Sequence, residues 1–170
     1  MHKAQAAQIS ELLPNYINGM LMTFGKYSIN TKLRQAHFLA QMAHETGGFK
    51  WNRELWGPTK AQRGYEGRID LGNTEVGDGS RFRGRSWVMV TGRYNYTQIS
   101  RELGEDFLLN PELLEQDPYA TLAAGWYWNS RYLNKLADED NLLAITKRIN
   151  GGTNGLEDRK QWYHKIRHIL

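Results

Sequence analysis

The chain of 170 residues contains no cysteine. Its fold therefore needs no disulfides, which suits synthesis in a reducing cytoplasm without excluding later work in an oxidising space. Long apolar runs are also missing. The N-terminal MHKAQAAQISELLPNYINGML has no stretch long enough for a signal peptide or a membrane span, and Pro14, Asn15 and Asn18 interrupt the only candidate. The expectation is a chain made without a signal peptide and without stable membrane insertion. Repeats, linkers and low-complexity segments are absent, so residues 1–170 read as a single domain. That length allows about two-thirds of the unfolded surface to be buried.

What is present is ordinary in bulk, 40% hydrophobic and 24% charged. Six Trp and nine Tyr make aromatics plentiful. Such rings serve as stacking platforms for sugars, though most pack into cores. The net charge of +4 attracts nucleic acid, anionic lipid or an anionic cell wall alike. The excess is modest and spread along the chain, so nucleic acid is not the expected partner.

Chemistry gathers in AHFLAQMAHETGGFKWNRELWGPT, Ala36 to Thr59. Leu33, Ala36, Leu39, Ala40 and Ala43 recur at helical spacing, and Gly47-Gly48 supplies a stop, predicting a helix over about 31–46 capped by Asn30 or Thr31. Glu45 falls in its last turn. A helix C-terminus disfavours negative charge, and Phe49, Trp51 and Trp56 would exclude water, so Glu45 is expected to keep its proton at neutral pH. On an unbroken helix Glu54 would lie ~900° further round, on the opposite face. A turn at the glycines would fold it back across a cleft. Two carboxylates in unlike environments suit acid/base work on a glycosidic bond, while a solvated or ion-paired pair of glutamates fits the same spacing. His44 suggests zinc, but no second His follows at the HExxH spacing, and no metal site or cofactor is expected.

Elsewhere the pattern is mainly helical. Residues 4–12 and 14–24 predict two short helices, with Pro14 in the first turn of the second and Gly25 closing it. Residues 49–85 hold seven glycines and little periodicity, predicting loops with a short hairpin. Glu66 in this stretch competes with Glu54 as second acid. Thr59 would orient a water or cap residues 60–65. Arg81, Arg83 and Arg85 alternate, placing them on one face of an extended segment, as a basic groove wall or a solvated edge. Thr91 is expected to cap a helix through Leu103, ended by Gly104. Asn110-Pro111 and Asp117-Pro118 read as helix starts, the second opening a helix apolar nearly all round. Residues 139–149 and 156–169 predict two more. The last is basic and amphipathic, a packed terminal helix whose outer face would at most touch an outer membrane.

Three blocks in order resemble glycoside hydrolase family 19, the chitinase-like group that includes many bacteriophage endolysins. INTKLRQAHFLAQMAHETGGF resembles its catalytic helix, GDGSRFRGRSWVMVTGRYNY its GDGxRYRGRGxIQLTGRxNY stretch, and ITKRINGGTNGLEDR its IT-R-INGG-NGL-DR stretch. They span Ile29 to Arg159. The resemblance implies a lysozyme-like, mainly α-helical domain with a loop-rich (small β) insert lining a groove and no separate wall-binding domain. It implies Glu45 as acid and Glu54 as base, inverting if the carboxyls stand ~6.5–9.5 Å apart. Thr59 or Thr91 would hold the attacking water, and His44, Arg85, Asn95 and Asn150 would contact substrate. The spacing of Glu45, Glu54 and Thr59 is also similar to that of small phage lysozymes, with four residues rather than five before the Thr. Met89 replaces the family's usual glutamine and Trp87 a small or apolar residue, so the detailed subsite departs from a standard chitinase.

The expected activity is therefore an endolysin's hydrolysis of β-1,4 bonds between N-acetylmuramic acid and N-acetylglucosamine. Peptidoglycan glycan strands would be its partner, met by a monomer in the periplasm after holin-type release. A chitinase, a lytic transglycosylase and a non-catalytic wall-binding protein are the alternatives.

Overall fold

A computed structural model describes residues 3–170. Helix α1 (Lys3–Leu12) leads by a turn into α2 (Ile17–Lys26). Pro14 lies in that turn rather than in α2, and Gly25 lies inside the helix. The start of α2 is set from far along the chain. Both carboxylate oxygens of Asp117 accept from the Gly19 N–H, at 2.9 and 3.1 Å. Asp117 thus caps α2 rather than the helix it precedes.

The chemistry-bearing helix is α3 (Lys32–Glu45). Thr31 caps it, its hydroxyl accepting from Arg34 N at 3.2 Å. Every residue from Ala36 to Ala43 is buried, so the helix runs through the core rather than along it. It stops because Gly47 and Gly48 adopt φ of +61° and +78°, letting Gly48 N donate back to Ala43 O at 2.7 Å.

The insert that follows contains α4 (Lys60–Arg63), a 3-10 turn at Ile69–Leu71 and α5 (Asp78–Arg81). The expected hairpin is reduced to isolated antiparallel bridges of Arg85 to Arg53 and to Val90. Then comes α6 (Arg93–Leu103), closed by Gly104. Its first N–H, on Arg93, donates to Asn73 Oδ1 at 2.9 Å, so the insert caps α6 and Thr91 does not. A second 3-10 turn (Pro111–Glu115) precedes α7 (Tyr119–Ser130).

Helix α7 is the central buried element the sequence predicts, and it belongs to two apolar cores. One gathers Phe24, Phe38, Met42, Trp128 and Ile166; the other gathers Phe82, Tyr96, Ile99, Phe107 and Ala123. Val88 and Trp126 pack against both. The fold ends with α8 (Leu133–Asp138), α9 (Leu142–Asn150) and α10 (Leu156–Ile169), the last lying along α3. Helix α8 is absent from the sequence reading because six residues cannot establish a helical period. Among the described residues no helix is long and apolar enough to cross a membrane.

Candidate active site

Two adjoining hollows of about 230 and 190 Å³ form along the seam between the cores. One water occupies ~30 Å³, so each hollow can take a group the size of a ring. They share Val88 and Tyr127. Glu45, Met42, Ile149 and Asn150 complete the first; Met89, Thr91, Asn95, Trp126 and Arg131 line much of the second.

Glu45 therefore faces a groove, but its neighbours differ from those expected. Phe49 packs on Trp87 and Trp162, and Trp56 lies between Tyr65 and Arg83; neither lines the hollow beside Glu45. Instead Arg159 of α10 donates to Glu45 Oε1 at 2.7 Å. Arg159 is 1% exposed, and its guanidinium also donates to Gln41 Oε1 and to Asn154 O. Gln41 passes the chain on to Thr146 Oγ1 at 3.2 Å. A buried guanidinium thus fixes one carboxylate oxygen, while Oε2 has no partner among the described residues.

Tyr127, which the sequence reading buried with its helix, lines both hollows. Burial pushes its hydroxyl above the usual phenol range; Arg131 and Arg159 oppose that shift and Glu45 adds to it. The hydroxyl is therefore a donor at neutral pH.

Glu54 is held by three donors. Gln62 Nε2 and the Tyr65 hydroxyl reach Oε1 at 3.0 and 3.1 Å, and Gly84 N reaches Oε2 at 3.1 Å. The carboxylate acts as acceptor in all three. Burial, and next the bond to Glu54, raise the Tyr65 hydroxyl above its usual range. Gly84 links this acid to the groove. A methyl group there would stand 3.3 Å from Thr91 Oγ1 and Met89 Cβ and 3.4 Å from Glu54 Cβ.

Thr59 serves a different end from water orientation. Its hydroxyl accepts from Gln62 N, and Gln62 Oε1 accepts from Thr59 N, forming a capping box for α4. Gln62, missed as a functional residue, joins that box to Glu54. Its signal was the T-x-x-Q spacing of Thr59-Lys60-Ala61-Gln62. Glu66 is fully engaged elsewhere, accepting from Gly77 N at 2.6 Å and Gly79 N at 2.8 Å at the start of α5.

The remaining predicted residues divide. Thr91 and Asn95 stand together in the second hollow, Asn95 Nδ2 donating to Thr91 O at 2.8 Å and Thr91 Oγ1 to Met89 O at 2.8 Å. Asn150 lines the first hollow beside Glu45. His44 instead pins α3 to α10 through Asp158 Oδ2 at 2.7 Å and lines neither hollow. Arg85 is buried, with its donors spent on Glu115 Oε1, Arg81 O and the Tyr96 hydroxyl. The basic wall dissolves because α5 ends at Arg81: Arg81 turns to Leu108 O, Arg83 to Ser80 O, and Arg85 inward.

A mainly helical fold with Glu45 at a groove between two cores, and Glu54 held by three donors on the insert that follows α3, has a lysozyme-like architecture. Residues 17–151 match the family profile of glycoside hydrolase family 19, chitinase class I, and the chain belongs to that family. It is a chitinase-like glycoside hydrolase. A glycosyl hydrolase family 19 domain-containing protein of Haemophilus influenzae is 28% identical over 92% of both chains. Endochitinase 1 of Theobroma cacao is 30% identical over 79% of this chain, which spans 50% of the cacao protein. Chitinase C of Streptomyces griseus shares the fold, with a TM-score of 0.75 over 99% of this chain and 78% of its own, at 24% identity.

Proposed function

We propose that this hydrolase cuts the β-1,4 bonds of bacterial peptidoglycan, in the manner of a phage endolysin acting in the periplasm after release. The observation that carries a catalytic reading is Glu45 at the groove surface with Oε2 unpartnered and Oε1 fixed by Arg159. In this mechanism Glu45 Oε2 gives its proton to the leaving glycosidic oxygen as the bond to the anomeric carbon breaks. Glu54 takes a proton from a water that bonds to that carbon from the opposite face, and the product sugar is inverted. Thr91 and Asn95, beside Glu54, hold the water and the sugar. Peptidoglycan is supported by the cysteine-free chain and by Met89 where a glutamine amide would meet a chitin sugar.

Chitin is the second reading, supported by the names of the plant relatives, of whose length the chain spans about half. Turbidity loss of permeabilised Gram-negative cells compared with release from colloidal chitin separates the two. Activity on chitin alone would reverse the choice. Anhydro-muramic ends in the mass spectrum of the cut glycan would remove the hydrolytic role of Glu54.

A further inference from the structure

Arg131, at the C-terminal end of α7, is the one charged side chain among the described residues that line the second hollow, whose other walls are apolar or neutral. Five other arginines of the chain, Arg34, Arg68, Arg85, Arg93 and Arg159, each hold a carboxylate at 2.6–2.8 Å. Among the described residues Arg131 has no carboxylate within 4.0 Å. Its NH1 makes two long bonds, 3.4 Å to Tyr127 O and 3.3 Å to Ser130 Oγ. Its guanidinium lies over the Tyr127 ring, 3.5 Å from the centroid. Tyr127, with Val88, is shared by the two hollows, so the stack holds the cation in the hollow that adjoins the one lined by Glu45. Stacking fixes the plane of the guanidinium and leaves its edge free for a planar, two-oxygen acceptor.

From this we infer that Arg131 reads a carboxylate on the substrate, and so discriminates a carboxylate-bearing amino-sugar polymer from a neutral one. The inference deepens the proposed peptidoglycan activity and rests on it for the identity of the natural polymer. In that polymer the carboxylate comes from the lactyl group of a muramic sugar or from the peptide attached to it. A neutral N-acetylglucosamine chain offers nothing for this cation to pair with.

The test compares Arg131→Gln and Arg131→Lys with the wild type on four polymers. Two are chitins, one carboxymethylated and one carrying neutral glycol groups. Two are glycan strands, one with its peptides and one stripped to the lactyl acids. The readout is the ratio of kcat/KM between acidic and neutral chitin at low salt. Loss of a charge-assisted bond predicts a fall of about tenfold in that ratio for Arg131→Gln, carried by KM. Arg131→Lys keeps the charge and restores at least half of the lost preference, and added salt erodes the wild-type ratio. A ratio that Arg131→Gln leaves within twofold overturns the inference, as does equal loss on all four polymers. The strands locate the carboxylate: a larger loss on stripped strands names the lactyl acid, a larger loss on intact strands the peptide. A wild type that favours acidic chitin through Arg131 yet cuts neither strand ends the peptidoglycan reading and leaves the anion subsite standing.

Discussion

Arg159 donates to Glu45 Oε1 at 2.7 Å from a site where its own side chain is 1% exposed. Glu45 is its one carboxylate partner among the described residues. The pair joins α3 to α10 where Glu45 lines the groove, so one contact fixes the carboxyl and gives the buried guanidinium a partner. Glu45→Gln keeps an oxygen to accept from Arg159 but removes the acidic proton. Turnover should fall by at least about a thousandfold, since the proton donor is lost while the oxygen that Arg159 orients remains. Stability should change by less than about 1 kcal/mol, because the glutamine oxygen still accepts from the buried guanidinium. Thermal melting and initial rates check both. Near wild-type lysis by Glu45→Gln would remove Glu45 from the mechanism.

Glu54 depends on Gln62 and Tyr65 for its position. Tyr65→Phe removes one of three donors and should lower kcat roughly three- to tenfold with little change in KM. Gln62→Glu retains the acceptor oxygens that hold Thr59 N and Gly57 N but sets a second carboxylate against Glu54. Like charges disfavour the ionised form, so the acidic limb of the kcat/KM profile should move to higher pH. A purely structural role for Gln62 would lower Tm and leave that limb where it was. The pH profile therefore distinguishes the two.

The difference between Glu45 and Arg159 in legibility explains what a sequence reveals here. Glu45 was placed at a helix end by local rules, because the stop at Gly47-Gly48 lies within three residues of it. Its partner lies 114 residues away, and no local rule reaches that far. The rings of Phe49 and Trp56 are near Glu45 in sequence but pack on other partners. Arg85 misled for a related reason: alternation at 81, 83 and 85 implies one face only if the segment is extended, and Arg81 ends a helix. Thr91 failed as a cap because Asn73, on another segment, took the Arg93 N–H. Local periodicity thus located most helices and put Glu45 at the end of one. Buried polar partners decided which predicted binding residues remain in the groove.

Close approach of α2 and α7 is set by glycine. A methyl group on Gly125 would stand 2.3 Å from Tyr27 Cδ2 and 2.5 Å from Thr23 Cγ2. Gly125→Ala gains ~1 kcal/mol of helix propensity, but overpacking at this contact costs ~1–3 kcal/mol or more. The clash wins because both neighbours are buried. Melting should drop by roughly 2–8 °C for a chain of this size. An unchanged or higher Tm would mean that the helices separate freely.

His37 supplies a pH dependence of stability away from the groove. Its ring is fully buried, stacked on Tyr163 at 4.4 Å, with Nε2 2.8 Å from Asp140 Oδ1 and Nδ1 without a partner. Burial pushes its pKa below the ordinary histidine value; Asp140 opposes that shift and the charge on Arg167 adds to it. Protonation would put a second N–H on Nδ1, where nothing accepts it. The unfolded chain therefore binds a proton more readily than the native one below about pH 6.5, and stability rises with pH there. Its contribution is complete above that pH and is lost as pH falls through the depressed native value, with a limiting slope of ~1.4 kcal/mol per pH unit. Asp140, held below the usual carboxylate range chiefly by the Tyr163 hydroxyl, loses stability in the same direction at lower pH. Denaturant titrations of the wild type and His37→Gln between pH 7.5 and 5 resolve the contribution. The variant should be less stable at pH 7.5 and show a flatter fall below pH 6.5; parallel curves would mean that His37 takes up its proton without opening the native packing.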